Sequence, residues 1–183
     1  MQHILFAHSA GAQSKAGQGS YDLVAYLKKE LGNAFDISCP VIEDPEDPTY
    51  AMWKSTFDAA FKKITAPVVL IGHSLGASTL LKYLSEEKPG IPVVSLHLVA
   101  TPHWGENMKD FMLKDNFEDA LTGIPKIFLY QSVNDKIVPF EHLGFYREAF
   151  KQAVVHELPG NDHVFAKGLP ELVNDIRGLF PKD

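Results

Sequence analysis

Residues 72–76 read Gly72-His73-Ser74-Leu75-Gly76, a serine with a glycine two positions away on each side. An apolar run, Val68 to Gly72, leads into it, and helical periodicity begins at Leu75. A G-x-S-x-G sequence between strand and helix forms a sharp turn, because small residues on both sides of the serine let the two elements approach closely. The turn lifts the hydroxyl to the N-terminus of the helix, where the dipole and the free N–H of Leu75 favour a developing negative charge. A serine hydroxyl is a weak nucleophile, so it needs a base, and the base needs an orienting carboxylate. Ser132-Val133-Asn134-Asp135 and Gly160-Asn161-Asp162-His163 supply both, in the chain order Ser74, Asp135, His163. His103, in Thr101-Pro102-His103-Trp104, is the alternative base, and Asp162 the alternative acid. Adjacent to His163 in the chain, Asp162 is poorly placed to reach its Nδ1.

These residues need a scaffold that gathers distant loops. Short β-branched runs alternate with helical segments from one end of the chain to the other, the pattern of a parallel sheet covered on both faces. The runs predict strands at His3 to Ala7, Phe35 to Cys39, Val68 to Gly72, Val93 to Val99, Lys126 to Tyr130 and Val154 to Leu158. Helices are predicted from Tyr21 to Leu31, with Ser20 as cap and Gly32 as stop, after Thr49, and from Leu75 to Glu86. A weaker one is expected over Glu106 to Leu121, and others over Phe140 to Gln152 and Pro170 to Phe180. In such a sheet ligands bind beyond the carboxyl ends of the strands, which is where Ser74, Asp135 and His163 all fall.

A tetrahedral intermediate needs a second N–H besides that of Leu75. The loop after the first strand, Ala7-His8-Ser9-Ala10-Gly11-Ala12, offers Ser9 or Ala10. His8, His73, His103 and Trp104 lie in loops at the same end and are expected to contact substrate. Tyr50, Met52, Trp53, Phe111 and Met112 are further candidates for lining an acyl pocket or for the core.

Composition removes other classes. The chain has 183 residues, 45% apolar and 22% charged, the profile of one globular domain. Its 17 basic and 23 acidic residues give a net charge of −6, and only Arg147 and Arg177 are arginines. No dense basic face for nucleic acid is expected, nor an arginine clamp for phosphate or carboxylate. Cys39 is the only cysteine, so no internal disulfide and no thiolate zinc cage can form. No metal is expected, since no H-E-x-x-H spacing stands near His8, and the glycines at 11, 17 and 19 complete no phosphate-loop motif. No apolar stretch approaches the ~20 residues of a membrane span, and the start lacks a secretion signal, so a cytoplasmic protein is expected. No feature specifies an oligomeric state.

With the serine turn, the aspartate loop and the histidine loop in place, the chain resembles a small α/β-hydrolase over essentially its whole length. It is most similar to the compact serine hydrolases of the retinoblastoma-binding-protein-nine type, then to dienelactone-hydrolase-like and short esterase or thioesterase members. The resemblance implies a single α/β-hydrolase domain without a large cap, whose six-stranded, mostly parallel sheet has the order 2-1-3-4-5-6. It implies an acyl-enzyme on Ser74, with His163 as base, Asp135 as its partner and no cofactor. Two positions depart from the family pattern: Ser132 and Asp162 stand where glycine is common. Dienelactone hydrolases proper use a cysteine nucleophile, whereas this turn holds Ser74 and Cys39 lies at a strand end. The expected activity is hydrolysis of carboxylic esters or thioesters with small to medium acyl groups. An acyltransferase with the same triad, or a protein-binding module with vestigial chemistry, are the alternatives.

Overall fold

The computed structural model describes residues 1–181. Six strands, β1 (Gln2–Ala7), β2 (Phe35–Ser38), β3 (Val68–His73), β4 (Val93–Val99), β5 (Ile127–Ser132) and β6 (Val154–Leu158), form one sheet in the order β2-β1-β3-β4-β5-β6. All neighbouring pairs run parallel. This is the α/β-hydrolase arrangement. Every residue of β3 is buried, as a central strand covered on both faces requires, while the edge strands β2 and β6 carry exposed positions.

Alternation along the strands sorts side chains into two cores. Leu5 and Leu70 face α2 (Tyr50–Phe61), α3 (Leu75–Glu87) and α4 (Glu141–Ala149), packing with Trp53, Phe57, Leu80 and Tyr146. Ile4, Phe6 and Ile71 face α1 (Tyr21–Leu31) and α5 (Pro170–Gly178), packing with Leu23, Leu27 and Ile176. Each such side chain contributes about 1.5–3 kcal/mol on full burial, so the cores lock the sheet register and with it the positions of the loops at its carboxyl edge. The order reverses between β1 and β3, and the loops leaving these neighbouring strands carry residues 8–12 and Ser74.

Two expectations need correction. The segment predicted as a helix over Glu106 to Leu121 forms two short 3₁₀ turns, Glu106–Phe111 and Phe117–Leu121. Met112 is extended and Asn116 left-handed, which breaks the period while Phe111, Phe117 and Leu121 stay buried against the α3 side. The segment is packed down rather than raised as a lid. Ser20 precedes α1 but its side chain caps nothing; it is fully buried and turned toward the loops of β1 and β3. Thr49 behaves as a cap should, its Oγ1 accepting from Met52 N.

Candidate active site

Ser74 sits between β3 and α3 at φ 53°, ψ −125°, a conformation a non-glycine residue adopts only under constraint, at about 1–3 kcal/mol. Its N–H donates to Val99 O at 2.8 Å and its carbonyl accepts from Ala77 N at 2.9 Å, so the turn is held from both sides. The flanking glycines are steric requirements. A Cβ on Gly72 would lie 2.4 Å from Ala77 Cα, and one on Gly76 would lie 2.3 Å from His8 O and 2.4 Å from Ala7 O. The first turn of α3 therefore presses directly against the backbone of the loop after β1. Gly76→Ala must separate the two, and we expect it to cost about 3 kcal/mol, the upper end of overpacking penalties. Urea unfolding checks this; an unchanged midpoint would mean that the contact is not rigid.

The structure brings the three distant residues together. His163 Nε2 lies 3.1 Å from Ser74 Oγ, and His163 Nδ1 lies 2.8 Å from Asp135 Oδ2. The side chain of Asp135 is fully buried, and each of its oxygens is occupied twice. Oδ1 accepts from Ile137 N (2.8 Å) and Val138 N (3.0 Å), and Oδ2 accepts from Gln131 Nε2 (3.0 Å) as well as from His163. Asp162, the alternative acid, turns its Oδ1 to Phe165 N at 2.9 Å. His103, the alternative base, lies with its ring 3.6 Å from that of Phe145 and has no hydrogen bond to Ser74.

The N–H groups around Ser74 divide clearly. Leu75 begins α3, so its N–H is one of the free donors of a helix start. In the β1 loop, Ser9 N–H is taken by Ser20 Oγ at 2.8 Å, Gly11 N–H by Pro45 O at 2.8 Å and Ala12 N–H by Glu46 Oε1 at 2.9 Å. Among the described residues Ala10 N–H has no partner. The expectation for Ser9 is thereby corrected: its donor is spent inside the protein, and that of Ala10 is the one left over.

Two of the expected substrate contacts are also corrected. His8 is completely buried, its Nδ1 at 2.6 Å from Ser9 O and its ring 4.7 Å from Trp53; burial pushes its pKa down. His73 is completely buried as well, between Ser20 and the main chain of His163. Neither has surface to offer a ligand. His103 and Trp104 are partly exposed, and the indole N–H of Trp104 donates to Ser78 Oγ at 2.8 Å. Trp53 and Phe111 belong to the core, and Tyr50 and Met52 pack against it. Cys39 is no competing nucleophile, because burial raises its thiol pKa to about 11.

Sequence reading passed over two residues that hold the site. Gln131 reaches Asp135 from β5, and Gln13 braces the β1 loop by donating to Ser9 O (3.0 Å) and Gly11 O (2.8 Å). Ser132 Oγ donates to Asp162 O at 2.6 Å. The two departures from the family pattern thus meet each other, Ser132 holding the Asp162 carbonyl while the Asp162 carboxylate closes the turn onto Phe165 N. Nothing in the spacing of Gln13 and Gln131 marks them, since each acts through a contact made only in the folded chain.

Residues 24–168 match the family described as Serine hydrolase. The chain belongs to this serine hydrolase family. Solved structures share its fold over nearly its full length. The ydeN gene product from B. subtilis is 18% identical with a TM-score of 0.80, the match covering 100% of both chains. Est1E from Butyrivibrio proteoclasticus, with ferulic acid bound, is 14% identical with a TM-score of 0.69, over 97% of this chain and 87% of that one. The esterase domain of a Rhodothermus marinus protein is 17% identical with a TM-score of 0.64, over 89% and 78%. No curated protein matches by sequence. Among the described residues no group of three or more His, Cys, Asp or Glu could hold a metal, and no helix is long and apolar enough to cross a membrane.

Proposed function

We propose that this serine hydrolase cleaves carboxylic esters or thioesters of small to medium acyl groups through an acyl-enzyme on Ser74. The observation that carries the reading is the unbroken chain Ser74 Oγ, His163, Asp135 at the N-terminus of α3. With Asp135 accepting from Nδ1–H, the His163 Nε2 lone pair faces the serine hydroxyl. Oγ attacks the acyl carbon as its proton passes to Nε2, and the carbonyl oxygen becomes an oxyanion held by the N–H groups of Leu75 and Ala10. Collapse of this intermediate breaks the bond to the alcohol or thiol, which leaves with the proton from Nε2. A water molecule then attacks the acyl-serine, giving its proton to Nε2, and the acid departs as Ser74 recovers its own. The base works as neutral imidazole, whose Nε2 lone pair accepts the serine proton.

What surrounds the site supports this reading of the substrate class. Five depressions of the surface are lined by residues other than Ser74, Asp135 and His163. The segment 103–123 packs onto the α3 side, and Trp104, bonded to Ser78 in the first turn of α3, supports an acyl site bordered by His103 and Trp104. Glu43, Asp44, Glu46 and Asp47 form an exposed acidic loop, tied to the β1 loop through Pro45 O and Glu46. That field disfavours anionic acyl groups. The test joins fluorophosphonate labelling, mapped by mass spectrometry, to a p-nitrophenyl ester series that includes a carboxylate-bearing member. We expect the label on Ser74 and faster turnover of neutral esters at low salt, the difference shrinking as salt screens the loop. Absence of labelling on folded protein would overturn the hydrolase reading, and faster cleavage of the anionic ester would overturn the charge argument.

A further inference from the structure

Beneath the triad lies a buried polar chain that the reaction as described does not use. Ser9 N–H donates to Ser20 Oγ at 2.8 Å, Ser20 Oγ lies 2.8 Å from His73 Nδ1, and His73 Nε2 lies 2.7 Å from the main-chain oxygen of His163. Ser20 and His73 are fully buried. The proton positions are dictated by the ends. A carbonyl can only accept, so His73 carries its proton on Nε2, which leaves Nδ1 as a lone pair and makes the Ser20 hydroxyl the donor to it. Oγ of Ser20 in turn receives the Ser9 N–H. Burial, aided by the neighbouring His163, lowers the His73 pKa to about 3, in keeping with a single neutral tautomer. The next carbonyl back, that of Asp162, is held by Ser132 Oγ at 2.6 Å.

From this geometry we infer that Ser20 and His73, with Ser132, are positioning residues: they lock the backbone of His163 at two consecutive carbonyls and tie it, through one hydrogen-bonded line, to the loop that presents Ala10. Residues from the ends of β3 and β5 and from before α1 thus set the base and the oxyanion loop in one frame. The His163 loop leaves the edge strand β6, where fewer neighbours could otherwise fix it. Misplacement of a reacting group by about 1 Å can cost about 10²-fold in rate, so the cradle matters for chemistry even though no member touches substrate.

The inference rests on the hydrolase reading for its kinetic arm and is independent of it for its spectroscopic arm. In ¹⁵N-histidine spectra of the whole protein, His73 should remain the neutral Nε2–H tautomer from pH 5 to 8, and the Nδ1 proton of His163, shared with Asp135, should be lost or broadened in His73→Leu. A titrating His73, an Nδ1–H tautomer, or an unaltered His163 proton in folded His73→Leu would overturn the inference whether or not the protein cleaves esters. Kinetically, His73→Leu should lower kcat and kcat/KM together by about 10²-fold. His73→Gln, whose amide can reach the His163 carbonyl, should recover most of the loss, and His73→Asn, which reaches only toward Ser20, should not. Should His73→Leu prove unfolded, the Gln and Asn pair carries the comparison; equal rates for those two would overturn the role of the His163 contact. Wild-type protein that neither labels nor turns over would instead defeat the hydrolase reading, leaving the spectra to decide the cradle.

Discussion

Replacing Ser74 by Ala is expected to lower kcat for the proposed ester hydrolysis by about 10⁵ to 10⁶, the scale measured when triad proteases lose their nucleophile. That is about 7–8 kcal/mol of transition-state stabilisation. The substitution is unusually clean in this protein. Ser74 Oγ has one hydrogen-bond partner among the described residues, His163 Nε2, while the bonds that shape the turn use the Ser74 backbone and survive. Alanine meets the same constraint at φ 53° as serine, so folding stability should stay within about 0.5 kcal/mol, as for substitutions that break no structural feature. Loss of turnover with an unchanged unfolding midpoint is the expected pair of results. Activity within tenfold of wild type, or fluorophosphonate still attached to the variant, would remove Ser74 from the role of nucleophile.

Why Ser74 could be read from the chain while the cradle around it could not is a matter of where the constraint lies. The turn at Gly72 and Gly76 is a local steric problem: a strand and a helix meet within five residues, and two positions admit no Cβ. Such a constraint is written in consecutive letters. The strands likewise follow from local pattern, and β1, β3 and β4 begin or end within a residue of where hydrophobicity places them. Ser20 shows the opposite case. A serine before a helix is the ordinary sign of a cap, yet packing turns its hydroxyl inward to serve residues 9 and 73. His8 and His73 depart from expectation for the same reason. A histidine in a loop at the carboxyl edge of the sheet has the same sequence signature whether it faces a ligand or is buried among neighbours, and only burial separates them. Ser9 and Ala10 differ by one step along the chain, and what divides them is a bond from one of them to Ser20, eleven residues on.

Asp135→Asn separates the acid from its rival more sharply than truncation would. Asparagine has one acceptor and one donor end where aspartate has two acceptors. Ile137 N–H and Val138 N–H both point at Oδ1, so the amide oxygen must take that place. The NH₂ group then occupies the position of Oδ2, facing the Gln131 amide and His163 Nδ1. Two donors oppose each other at Gln131, and His163 is forced to present a lone pair at Nδ1 and its proton at Nε2. In that tautomer the imidazole donates toward Ser74 and cannot accept its proton. The expected loss in kcat is about 10⁴-fold, the size found when a serine protease is given the wrong tautomer in this way. Asp162→Asn should fall by less than tenfold, because its Oδ1 can still accept from Phe165 N and no bond from its side chain to His163 is broken. Steady-state kinetics on both variants, with ¹⁵N spectra to read the His163 tautomer, decide the matter. If Asp162→Asn were the crippled variant and Asp135→Asn nearly normal, the acid would have to be reassigned and the fourfold-occupied carboxylate of Asp135 would be structural only.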